Sequence, residues 1–321
     1  MTSPPRALRR ELGKIVSRSE GLVPAVSLAY AQDEEIVTAE WGAEPETLFQ
    51  AASISKPVTA LLALRLVADG ELSLDGDIAT PLDTHITLRL LLCHGAALSV
   101  FGFPGYARGE ALPSLQGILD GSPPANNEPV RSVGEPRLEA AYSGGGYMVI
   151  QQLIEDATHE PFASLAAERI FSPLHMESAT FAQPLPRELE PLAARGFSAG
   201  RIVEGGWRVY PELAAAGLWC TPTDLVRFAR GVQDAFEGER GAIVPQPLAA
   251  EMLTPQFPGW GLGVGLLGSP EDPRFGHTGG NAGYRCELVA SARRGLAVAV
   301  MTNADEGGAL VPQLVNRLAG R

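Results

Sequence analysis

The sequence predicts an α/β (α+β) fold in which both ends of the chain build one sheet and a helical segment is inserted between them. Three observations carry this. Residues 25–41 hold two short strand-like runs, and runs of that kind return after residue 260. Between about 81 and 254 helix signals and Pro and Gly breaks dominate. Strands at the two ends are most simply buried as one layer, with the helical segment packed beside it. The expected division is a sheet lobe from residues 1–80 and 255–321 and a mostly helical lobe from 81–254. A cleft between the two is the default place for a site.

In chain order, Leu8, Leu12, Ile15 and Val16 recur at helical spacing, with basic residues between them, so residues 5–18 read as an amphipathic helix. Residues 25–31 and 35–41 are strands joined by a hairpin at Gln32-Asp33-Glu34. Pro24 suits a strand start because it has no N–H to give to a ladder. Within Phe49–Leu66 a long apolar helical pattern starts close to Ser53, and it stops near Asp69-Gly70. In the middle, residues 88–94, 147–158 and 162–171 read as helices, and 223–233 as another, capped from Thr221-Pro222-Thr223-Asp224. Residues 99–134 are loop-rich, with five prolines. This stretch and residues 197–211, which carry Trp207 and Tyr210, are expected to shape a pocket. Strands at 260–267, 284–290 and 296–302 and a helix at 311–318 close the chain.

At 321 residues, 45% hydrophobic, the chain is long enough for a large core. A net charge of −12 argues against nucleic acid or an anionic membrane as partner, since both select basic surfaces. No signal-peptide core opens the sequence and no run of about 18 apolar residues occurs in it. Cys93, Cys220 and Cys286 are odd in number, widely spaced and form no CxxC, so they read as reduced core residues. A cytoplasmic protein is the expectation. The five histidines show no metal-ligand spacing, and no cofactor is implied. Oligomeric state leaves no trace in the sequence.

Ser53-Ile54-Ser55-Lys56 opens the long apolar helix. Residues three apart share a helix face, so the Lys56 amine can lie beside the Ser53 hydroxyl. A serine needs a neighbour to take its proton before it becomes a useful nucleophile, and a lysine of lowered pKa can do that. Pro57 lacks an N–H, which places it near the first turn, where donors are orphaned. Such tetrads also arise by chance on surface helices. Tyr142-Ser143-Gly144-Gly145-Gly146-Tyr147 has neither the spacing nor the Lys of a phosphate cradle. Tyr142 there can accept a proton if a nearby cation lowers its pKa. His277-Thr278-Gly279-Gly280 precedes the strand at Tyr284, with Thr278 free to hydrogen-bond substrate and the glycines letting substrate approach the backbone.

These three motifs in this order resemble the serine β-lactamase and penicillin-binding-protein superfamily. A tyrosine in the second motif resembles the class C branch, with its esterases and D-amino-acid peptidases. Leu90-Leu91-Leu92-Cys93-His94 and Gly217-Leu218-Trp219-Cys220-Thr221 also look like that branch, and the resemblance extends from about residue 20 to the end. It implies a β-lactamase-like fold, an antiparallel sheet flanked by N- and C-terminal helices plus an inserted all-α lobe. It also implies Ser53 as the acylated nucleophile, with Lys56 and Tyr142 sharing base and acid roles. The backbone N–H groups of Ser53 and Gly280 would form the oxyanion hole. His277, Thr278, Gly279 and Gly144 would bind substrate.

Two positions depart from the pattern. Gly144 stands where class C enzymes usually carry Asn, and His277 where they usually carry Lys. An imidazole of ordinary pKa is largely neutral at pH 7. Both changes weaken the case for a β-lactamase or for a carboxypeptidase acting on a free carboxylate. Arg285 could replace the missing cation, although a structural arginine is the stronger reading. The expected function is a carboxylesterase-like serine hydrolase acting on the carbonyl of a small ester, or amide, through an acyl-enzyme on Ser53. The alternatives are a D-amino-acid amidase or peptidase, a β-lactamase, an acyltransferase or, from another class, a non-catalytic ligand-binding scaffold.

Overall fold

The computed structural model describes the chain except residues 1, 20, 33–34, 79–85, 137, 270–272, 294 and 321. Six strands form one antiparallel sheet: β1 (Val26–Gln32), β2 (Glu35–Trp41), β3 (Gly265–Gly268), β4 (Pro273–Asn281), β5 (Tyr284–Ser291) and β6 (Ala297–Thr302). Their order is β2-β1-β6-β5-β4-β3. The N-terminal hairpin joins the C-terminal strands through the β1–β6 ladder, where Val26 faces Thr302 and Tyr30 faces Val298. The turn expected at Gln32-Asp33-Glu34 falls at 33–34, outside the described residues.

Alternation along the strands explains how both faces are covered, because side chains at i and i+2 share a face. Val26, Leu28, Val298 and Val300 pack on one side with Leu12, Leu310, Leu314 and Val315. Those last four belong to two terminal helices, α1 (Arg6–Ser17) and α6 (Gly307–Leu318), and pack as a shared apolar layer. Ala29, Ala297, Ala299 and Met301 face the larger core on the other side. There the small alanines admit α5 (Pro222–Glu237), and α2 (Ser55–Ala68) belongs to the same core. Helix α2 is apolar nearly all round and buried accordingly, Lys56 included.

The middle of the chain is helical and loop-rich, and includes α3 (Gly144–Thr158) and the single turn α4 (Leu213–Ala216). Helix α5 lies inside residues 81–254 yet packs on the sheet at β1 and β6. A boundary at 254 therefore divides a continuous core. The segment expected at 260–267 forms a strand over β3 alone. A strand with no counterpart in the sequence reading is β4, whose Pro, Gly, His and Thr content reads as a turn. Its extended form comes from pairing with β5 along its length and with β3 over 273–276. Trp207 and Tyr210 are buried in the core and do not line the site described below. The three cysteines are free and buried. No helix among the described residues is long and apolar enough to cross a membrane.

Candidate active site

Ser53 sits in a tight 3-10 turn, Ala52–Ile54, that leads directly into α2. The sequence places the helix start at Ser53; the helix begins two residues later. Ala52 has φ +50°, a left-handed conformation that an L-residue adopts at a penalty of about 1–2 kcal/mol. That strain persists because the turn is held from outside. Ala51 N–H donates to Leu218 O at 2.9 Å, and Leu218 N–H donates to Ser55 Oγ at 3.0 Å. Ser55 Oγ donates in turn to Ala52 O at 2.6 Å. Thr59 Oγ1 lies 3.0 Å from Ala214 O, and Lys56 Nζ donates to Ala215 O at 2.8 Å. Residues 214–218 are therefore stitched along the start of α2, which gives the Gly217-Leu218-Trp219 stretch its structural role.

Lys56 Nζ is 3.1 Å from Ser53 Oγ. The lysine is buried, and loss of hydration lowers its pKa to about 7. Half the amine is then neutral near pH 7 and able to accept a proton. Tyr142 precedes the N-cap of α3, Ser143, whose Oγ accepts the Gly146 N–H. Its hydroxyl hydrogen-bonds the Ser53 side chain, and its ring lies 5.0 Å from Lys56 Nζ. Burial raises the Tyr142 pKa to about 12, the Ser53 bond opposing this more weakly. The sequence reading allowed Tyr142 to accept a proton if a cation lowered its pKa. Burial is the larger influence, and the phenol keeps its proton.

Strand β4 supplies the opposite wall. Beyond residue 276 it has no partner on the β3 side among the described residues. His277, Thr278, Gly280 and Asn281 line a cavity of about 730 Å³ that they share with Ser53, Lys56 and Tyr142. His277 Nδ1 lies 2.6 Å from Thr278 O; a carbonyl only accepts, so Nδ1 carries the proton. Burial, reinforced by the Lys56 charge, lowers the His277 pKa to about 3. The ring is neutral, as expected from its type. Thr278 is exposed to the cavity, opposite Glu287 on β5.

Two residues read as substrate-binding do not line this cavity. A Cβ on Gly279 would lie 2.3 Å from Ala51 O and 2.4 Å from Cys286 Sγ. Gly279 thus lets β4 press against the nucleophile turn. A Cβ on Gly144 would meet Phe103 Cε2 at 3.0 Å and Phe101 O at 3.1 Å. The 101–103 loop occupies the space that a side chain at 144 would enter. Gly280, by contrast, is open on the cavity side, with Arg285 Nη1 the nearest atom at 3.5 Å.

The sequence places residues 99–134 at a pocket but singles out none of the residues at the aromatic end of the cavity. Phe101 (75% exposed), Phe103, Trp260 and Leu267 line it. The Phe101 and Trp260 rings lie 4.9 and 5.7 Å from that of Tyr142. These residues come from loops and a short strand far apart in the chain, so no local pattern marks them. Arg285 also lines the cavity, but its Nη1 is 2.8 Å from Asp305 Oδ1 and donates to Asn281 O and Tyr284 O at 2.7 Å. Among the described residues no cluster of His, Cys, Asp and Glu is arranged to hold a metal ion.

Residues 10–318 match the family model described as Beta-lactamase. Penicillin-binding protein 4 of Amycolatopsis lactamdurans is 26% identical over 94% of this chain and 87% of its own length. Esterase EstB of Burkholderia gladioli is 27% identical over 80% and 78%. Among solved structures, D-amino acid amidase from Ochrobactrum anthropi SV3, complexed with L-phenylalanine amide, has a TM-score of 0.79 at 24% identity, covering 97% of each chain. That likeness speaks for the fold. With the family match running from α1 to α6 and through every motif of the cleft, the chain belongs to the Beta-lactamase family of serine hydrolases.

Proposed function

We propose that the protein is a carboxylesterase-like serine hydrolase that cleaves an ester, or an amide, through a covalent acyl-enzyme on Ser53. The observation that carries this reading is the meeting of Ser53, Lys56 and Tyr142 in one cleft, with the lysine tuned to about 7. Neutral Lys56 takes the Ser53 proton as Oγ attacks the carbonyl carbon. The backbone N–H groups of Ser53 and Gly280 receive the oxyanion, a donor of this kind being worth about 3–4 kcal/mol. Collapse of the tetrahedral adduct breaks the bond to the leaving alcohol. That alcohol takes the proton from the Lys56 ammonium, directly or relayed through the Tyr142 hydroxyl. Water then attacks the acyl carbon by the same route in reverse and releases the carboxylic acid.

A neutral substrate suits the cleft better than one bearing a carboxylate. The Lys and Arg side chains that line it, Lys56 and Arg285, are both engaged, and Glu287 adds an acid to the same wall. His277 does not supply the cation that a Lys would. Likeness to a protein named as an esterase supports the same choice. His277 and Thr278 form the substrate wall. A cytoplasmic location is part of the proposal, supported by three free, buried thiols.

The test is turnover of a short-chain nitrophenyl ester by the intact protein and by Ser53→Ala. Loss of the nucleophile should lower kcat by about 10⁴–10⁶. Equal rates in the two proteins would remove Ser53 from the reaction and leave the ligand-binding scaffold as the better reading.

A further inference from the structure

His94 belongs to none of the three motifs, yet it holds the chain on both sides of Tyr142. Ala141 N–H donates to the His94 carbonyl at 2.8 Å, and Ser143 N–H donates to His94 Nδ1 at 3.2 Å. Between these two points the imidazole lies against the Tyr142 ring, centroids 4.4 Å apart. Trp260 meets the same imidazole edge-on, centroids 4.8 Å apart. His94 is 3% exposed and adopts φ +61°, a left-handed conformation, so a strained backbone and a buried polar ring are both retained at this position.

From this geometry we propose that His94 is a positioning residue: its Nδ1 lone pair and ring fix Tyr142 against Ser53 and Lys56. The inference rests on the hydrolase reading above, in which Tyr142 relays the proton. Acceptance of the Ser143 N–H requires Nδ1 to be unprotonated, so the neutral ring carries its proton on Nε2. Burial, with Lys56 and His277 nearby, holds the imidazole well below its ordinary pKa, which keeps that lone pair available. Ser143 is also the N-cap of α3, and its hydroxyl donates to Ser99 O at 2.7 Å. A shift at His94 is therefore passed to Tyr142 while the helix cap stays tied.

Two substitutions separate positioning from packing. In His94→Asn, Oδ1 takes the place of Nδ1, and Asn tolerates the left-handed backbone. His94→Gly tolerates the same backbone and has no acceptor. With nitrophenyl ester as substrate, His94→Gly should lower kcat by about 10², the scale expected for an ångström of misplacement, with KM within about threefold. His94→Asn should recover to within about tenfold of the intact protein. A kcat unchanged in His94→Gly, or an equal loss in both variants when each unfolds cooperatively, would overturn the proposal. Ser53→Ala is run beside them: turnover that survives it removes both the hydrolase reading and this one, whereas its loss with His94→Gly unimpaired removes only the role of His94. An independent readout uses the intact protein labelled with ¹⁵N-histidine. His94 should show the Nε2–H tautomer at pH 7, and an Nδ1–H signal would overturn the clamp even if neither variant folds.

Discussion

Lys56 Nζ lies 3.1 Å from Ser53 Oγ on a side chain with almost no contact with solvent, and burial brings its pKa to about 7. Only the neutral amine can take the serine proton. Ester kcat/KM should therefore rise tenfold per pH unit below about 7 and level off above it. Tyr142, at about 12, adds no second limb in the working range. A pH–rate profile with its acid limb near 5, or with none, would show that a group other than Lys56 is the base.

Replacement of His277 separates that lysine from the histidine beside it. With its pKa near 3, His277 does not titrate between pH 5 and 9, so His277→Gln should leave the acid limb in place. His277→Lys puts a second cation close to Lys56, and like charge disfavours the protonated form. The acid limb should move to lower pH, and esters carrying a carboxylate should gain in kcat/KM relative to neutral ones. A limb that vanishes in His277→Gln would assign it to the histidine.

Gly279 and Gly280 are neighbours with opposite tolerances. A methyl group on Gly279 would press into Ala51 O and Cys286 Sγ, both closer than 2.5 Å, and backbone cannot yield there without moving the Ser53 turn. Gly279→Ala should lose about 1–3 kcal/mol of stability, as overpacked cores do, together with most of its ester activity. At Gly280 the methyl meets only ordinary contacts, and Gly280→Ala should unfold at the same urea concentration as the parent. Urea unfolding of the two variants checks this, and equal midpoints would show that β4 is not clamped to the turn.

What the sequence carried was local. Ser53 and Lys56 are three residues apart, and helix geometry alone brings them together. The hairpin and the short apolar runs of β1, β5 and β6 are local strand signals as well. What it hid was long-range. Ala215 O reaches Lys56 across 159 residues, and nothing in a run of alanines marks a hydrogen-bond acceptor. Strand β4 has a single β-branched residue, Thr278, beside a proline and three glycines, and exists through its partners. Gly144 and Gly279 stand in motifs where substrate contact is the natural reading, and only packing shows that each makes room for a neighbouring segment. Helix α3 begins at the triple glycine rather than at Tyr147, because the Ser143 cap outweighs poor intrinsic propensity.

Glu212 offers a test of the support beneath the site. It caps the α4 turn that presents Ala214 O to Thr59 and Ala215 O to Lys56, and it is fully buried. Apart from a contact with its own backbone N–H, neither carboxyl oxygen has a hydrogen-bond partner among the described residues. Burial raises its pKa to about 8, so the folded protein keeps a proton that an unfolded chain releases near pH 4.3. Between those values the folded state binds more protons than the unfolded, and stability falls as pH rises, by up to about 1.4 kcal/mol per unit, levelling off above about 8. Lys56 acts in the opposite sense above about 7, since it is neutral when folded and charged when unfolded. The comparison of Glu212→Gln with the intact protein cancels that contribution. The glutamine cannot ionise, so its stability relative to the intact protein should grow from pH 5 to pH 8 in urea unfolding. Parallel stability curves for the two proteins would mean that Glu212 is ionised in the fold, with a partner for its charge.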